Sequence, residues 1–114
     1  MDQRYRRKLP PNVVAALGEL KAGLSGLYGA RLRGIYLYGS YARGDYRTES
    51  DVDILVVLAG PVKPGVEISR TSPLVSPICL KHDLLISILP VSGETLDRRP
   101  DVFYDQVRRE AVMV

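Results

Sequence analysis

Two aspartates, Asp51 and Asp53, stand two residues apart at the mouth of the apolar run Val52 to Leu58. On a strand, both side chains leave the same face. Two carboxylates so placed repel each other, and in an apolar setting one protonates unless a cation lies between them. Hard cations such as Mg²⁺ take oxygen ligands, typically one or two protein carboxylates plus waters and substrate phosphates. The pair therefore reads as a clamp for a Mg²⁺-bound nucleotide. The plainer alternative is that Asp51 ends the strand and Asp53 is solvated.

Upstream, Gly39-Ser40 closes a short apolar stretch, Ile35 to Tyr38, and opens a polar segment that contains Gly44. Backbone N–H groups and a serine hydroxyl can converge on a phosphate at such a turn, and glycine lets the phosphate approach the backbone. Arg43 and Arg47 lie in the same segment, and arginine's planar fork suits phosphate oxygens. Gly-Ser, ten residues, then Asp-x-Asp arises in on the order of one in a thousand chains of this length at average usage, so the combination carries weight that neither half has alone.

The spacing resembles the signature of the minimal nucleotidyltransferases of the DNA polymerase β-like superfamily, carried here as Gly39-Ser40 and Asp51-Val52-Asp53 and followed by the apolar run Ile54 to Leu58. The likeness extends loosely over most of the chain, to the ending RREAVMV. It implies Mg²⁺-dependent transfer (two ions) of a nucleoside monophosphate, with ATP as co-substrate, to a hydroxyl. Gly39 and Ser40 would hold the outer phosphates, with Arg43 and Arg47 near them, and Asp51 and Asp53 the metals. The family also uses a third carboxylate inside the neighbouring strand, where this chain has Leu85; the nearest acid is Asp83, about 6.6 Å earlier along an ideal strand. Asp83 is therefore the candidate third metal ligand, and a solvated strand-opening aspartate is the alternative.

Around this core the periodicity predicts an α+β fold, a small mixed sheet with helices packed on it. Val13, Leu17, Leu20, Leu24 and Leu27 form one helical face, opened at Asn12 as cap or Pro11 in the first turn and ended at Gly29. Gly18, Gly23 and Gly26 weaken that helix, and close packing against a sheet is one reason to keep them. Val52 to Leu58 reads as a strand covered on both faces. A second helix spans Val66 to Leu80, restricted by Pro73 and Pro77. A third strand spans Leu84 to Leu89, closed by Pro90. Ser92 or Thr95 caps a turn, Pro100-Asp101 opens a last helix that buries Phe103 and Val107, with Tyr104 a further candidate, and Ala111 to Val114 adds an edge strand. Residues 1–9 read as a basic arm and residues 10–114 as a single domain.

The 114 residues are 46% hydrophobic and 25% charged, an ordinary globular balance. A surplus of 16 basic over 13 acidic side chains is too small to argue direct nucleic-acid binding. The only cysteine, Cys79, leaves no internal disulfide and fits a reducing compartment. No apolar run reaches the roughly 18 residues of a membrane helix, and none follows the basic start as a signal peptide requires; the reading is a cytoplasmic protein. His82, the only histidine, rules out a multi-histidine metal site, and Ser40 lacks a histidine partner for a hydrolase triad. Tyr36 and Tyr38 share a strand face, and Tyr41 or Tyr46 is placed to stack on a base or simply to pack.

By resemblance, the favoured assignment is the antitoxin of a two-component pair, adding AMP to a helical HEPN-type toxin. A non-catalytic binding module of the same fold and a transferase for a small hydroxylated acceptor, such as an aminoglycoside, are the alternatives. Self-association is left open.

Overall fold

The computed structural model describes residues 1, 4–5 and 8–114. Helix α1 (Pro11–Tyr28) and a 3₁₀ turn (Gly29–Arg31) lead into β1 (Leu32–Tyr38), the short α2 (Ser40–Arg43) and β2 (Val52–Leu58). Then come α3 (Pro64–His82), β3 (Ile86–Ser92), α4 (Gly93–Arg98), α5 (Val102–Glu110) and β4 (Val112–Met113). The sheet order is β3-β2-β1-β4, with β1 antiparallel to β2 and β4, and β2 parallel to β3. This is the expected mixed sheet with helices.

Strand alternation divides β2 between two cores. Val52, Ile54, Val56 and Leu58 pack with Leu17, Leu20 and Leu24 of α1 and with Val75 and Ile78 of α3. Leu55 and Val57 face Tyr104 and Val107 of α5. Asp53 belongs to the second face by parity, while Asp51 lies just ahead of the strand. Tyr36 and Tyr38 lie on that face too, as their spacing predicts.

The basic arm predicted over residues 1–9 lies partly outside the described residues. Within the remainder, Leu9 is buried and the Tyr5 hydroxyl donates to the Ala42 carbonyl. At the start of α1, Pro10 is the cap residue and Pro11 sits in the first turn. Asn12 does not cap; its side-chain amide donates to the His82 carbonyl at 3.0 Å, tying α1 to the end of α3. Of the α1 glycines, Gly23 has a packing reason, but against a helix: a Cβ there would run into Leu74 of α3, whereas Gly18 and Gly26 face open space.

Helix α3 runs unbroken through Pro73 and Pro77. Both prolines are exposed, so the backbone bonds they remove lie on the solvent side, while Thr71, Val75 and Ile78 hold the buried side. The third strand starts two residues later than predicted and contains Pro90. It lies at the edge of the sheet beside β2, and proline is tolerated on such an edge strand because its missing N–H need not face a neighbour. In the last helix, Tyr104 and Val107 are buried but Phe103 is 45% exposed, turned from the core toward the cleft described below. Ser92 caps α4, accepting from the Thr95 N–H.

Glu67 is 3% exposed. The Tyr28 hydroxyl and Arg70 Nε donate to it at 2.8 and 2.9 Å, and Arg31 lies at 3.5 Å. The Tyr28 hydrogen bond, ahead of Arg70 and against the opposing effect of burial, holds its carboxyl below the ordinary range. Glu67→Gln is expected to cost about 2 kcal/mol. Because the folded carboxyl is the stronger acid, the wild-type advantage is complete above the unfolded carboxylate range and fades as pH falls through the folded value. Thermal melts of both proteins at neutral and acid pH check this; a constant gap would contradict it.

Candidate functional site

Strand β1 ends at Tyr38, which pairs with Asp53 of β2. The chain then turns at Gly39, φ +77° and ψ −156°, a combination essentially confined to glycine. A side chain at Gly39 would overlap the Asp53 carboxylate. The glycine–serine turn and the second aspartate are thus in direct apposition, as their spacing suggested. Helix α2 begins at Ser40, and its first N–H groups have no intrahelical acceptor.

A cleft of about 360 Å³ opens over this junction, lined by Tyr38, Gly39, Ser40, Arg43, Asp53 and, from α5, Phe103, Gln106, Val107 and Glu110. Asp53 is half-buried in this lining, whereas Asp51, exposed and just ahead of β2, is not among the lining residues. Burial, then the Asp51 charge and that of Glu110, push the Asp53 carboxyl up, with Arg43 opposing. Burial and the Asp53 charge push the Tyr38 hydroxyl up to about 12. Among the described residues no group of three or more acid, histidine or cysteine side chains forms a metal cluster.

Arg43 lines the cleft but is paired there with Glu110 and Asp45. The remaining candidates lie elsewhere. Arg47 is exposed in the loop, where its N–H donates to the Ser50 hydroxyl, and it does not line the cleft. Asp83 caps the end of α3 in the left-handed conformation, φ 53°, and lines a separate cavity with Asn12, Glu49 and Ser50. The structure does not bring it to Asp53. In the β2–β3 register the residue beside Asp53 is Ser87, so the strand position of a third acid holds an exposed hydroxyl.

Tyr41 and Tyr46 stack on each other, centroids 4.4 Å apart, so both rings are used in packing. His82 pairs with Glu19, and Arg108 with Asp105 and the Leu96 and Arg99 carbonyls. Sequence reasoning missed Glu110, Gln106 and Phe103. Glu110 did leave a signal: a carboxylate in the last turn of a helix opposes the helix dipole, so it needs a partner outside the helix.

A family model of the nucleotidyltransferase domain matches residues 17–102, from α1 to the start of α5. The chain belongs to the nucleotidyltransferase domain family. One relative is the "Putative protein adenylyltransferase MJ0604" of Methanocaldococcus jannaschii, 34% identical over 88 residues, which cover 77% of this chain and 82% of that protein. The fold of this chain is shared with a solved structure described as "Structure of putative minimal nucleotidyltransferase", TM-score 0.56 at 24% identity, over 93% of this chain and 97% of the other. It is also shared with a toxin–antitoxin crystal structure containing AMP-PNP, TM-score 0.57 at 22% identity, over 82% and 68% of the two chains. No helix among the described residues is long and apolar enough to cross a membrane.

Proposed function

We propose that this nucleotidyltransferase moves AMP from ATP to a hydroxyl of a protein partner in the cytoplasm, with residues 10–114 forming one catalytic domain. The partner is a HEPN-type toxin and this chain its antitoxin. The apposition of Gly39 and Asp53 carries the reading: the turn suited to outer phosphates abuts a carboxylate suited to a hard cation. The name of the archaeal relative and the toxin–antitoxin neighbour with AMP-PNP support the choice of nucleotide and partner.

Two carboxylates at the mouth of β2 fit Mg²⁺, which completes its shell with water and phosphate oxygens; Asp51 and Asp53 would hold it. When bound, Mg²⁺ supplies charge neutralisation to the polyphosphate and to the leaving pyrophosphate. The protein's own share is positioning. Ser40 and the turn would bind the outer phosphates, with Arg43, held by Glu110 and Asp45, beside them, and the transfer takes place at the α-phosphorus. The acceptor oxygen bonds to that phosphorus as its bond to pyrophosphate breaks, and the hydroxyl proton leaves to water.

The test is incubation of the complex with ATP labelled at the α-phosphate. Metal-dependent label on the partner, lost in Asp51→Ala/Asp53→Ala, is expected. An intact complex that never labels would select the non-catalytic module, a reading favoured by the location of Asp83 outside the cleft. Because of that location, Asp83→Asn is expected to keep transfer within about twofold. Asparagine also tolerates the left-handed backbone there. A tenfold loss in the same assay would bring Asp83 into the ligand set.

A further inference from the structure

We propose that Glu110 is a positioning residue that fixes the Gly39–Ser40 turn over the aspartates, a role that rests on the nucleotidyl-transfer reading above. Glu110 ends α5, its side chain is 13% exposed, and one carboxylate serves both ends of α2. Its Oε1 accepts from the Gly39 N–H at 2.9 Å. Arg43 Nη1 donates to both oxygens, at 3.3 and 3.2 Å, and Gln106 Nε2 reaches Oε2 at 3.4 Å.

The register explains why a side chain is needed here. Strand β4 pairs Leu37 with Val112 and Tyr36 with Met113. Extended by two residues, that antiparallel ladder would set Gly39 opposite Glu110. By then, however, the chain at Glu110 is helical, and no strand carbonyl faces Gly39. The Glu110 carboxylate takes that place and satisfies the N–H of a buried residue. Burial pushes the carboxyl up, but the Gly39 N–H, Arg43 and Gln106 outweigh it and hold it below the ordinary range, so it is ionised where it accepts. Arg108 and Arg109, its neighbours in the last turn, satisfy the helix dipole. The acid therefore serves the turn rather than its own helix.

The experiment compares Glu110→Ala and Glu110→Gln by amide hydrogen exchange without nucleotide, and by steady-state kinetics with ATP. In Glu110→Ala, exchange at Gly39 is expected to quicken roughly tenfold while the β2 amides stay protected. KM for ATP should rise about tenfold, with kcat changed less than KM. Glu110→Gln keeps an oxygen for Gly39 and should recover most of both. Unchanged Gly39 exchange in Glu110→Ala, no recovery in Glu110→Gln, or a fall in kcat at constant KM would each overturn the role. If the wild type turns over no ATP, the transfer reading falls, while the exchange comparison still decides whether Glu110 holds the turn.

Discussion

Asp53→Asn is expected to lose metal-dependent transfer by at least about a hundredfold and yet to melt at a higher temperature than the wild type. The carboxylate lines the cleft against Gly39, so its replacement removes charge where a cation and phosphates would meet. The stability gain comes from the same position. Burial, Asp51 and Glu110 push the folded carboxyl above its ordinary value. A folded acid with a raised pKa costs stability as pH climbs from the unfolded pKa to the folded one, and the cost is constant above that. Asparagine escapes it. Melts without divalent ions should show the gap at neutral pH and its closure in acid. Wild-type transfer by this variant, or a melting point below the wild type at neutral pH, would contradict the assignment.

Gly39→Ala should be nearly as damaging to activity, with the opposite sign on stability. The backbone at +77°, −156° costs a residue with a Cβ about 1–3 kcal/mol. Here the added carbon also overlaps the Asp53 carboxylate, so either the turn or the aspartate must move. A displacement of order 1 Å at a positioned phosphate suffices for roughly a hundredfold loss. Transfer assays with melts of the same sample check both halves. A variant as stable and active as the wild type would show that the turn and carboxylate are not in contact.

The two aspartates and the glycine–serine turn were legible because their chemistry and local order lie within fifteen consecutive residues, joined by two short strands. Strand parity then puts Asp53 on the face of Tyr38, its partner across the β1–β2 pairing. The far wall of the cleft was not legible. Glu110 meets Gly39 across 71 residues, through the β1–β4 pairing, and β4 is only two residues long. The third-strand register failed for a physical reason. Leu84 and Leu85 look like strand residues, but Asp83 takes a left-handed turn and Leu85 is 65% exposed. Pairing continues instead through Pro90, which an edge strand permits. A shift of two residues keeps every side chain on its face but changes which one stands beside Asp53. Phe103 likewise sits one residue off the buried face of α5, a rotation that hydrophobicity alone does not distinguish.

The most direct measurement is a calorimetric titration of the purified protein with AMP-PNP, with and without Mg²⁺, repeated on Asp51→Ala/Asp53→Ala. Cation-assisted binding by the native chain, abolished when both acids are gone, is the outcome the account requires. Nucleotide uptake indifferent to Mg²⁺ and to both substitutions would mean that the acidic pair and the turn beside it do not form a nucleotide site.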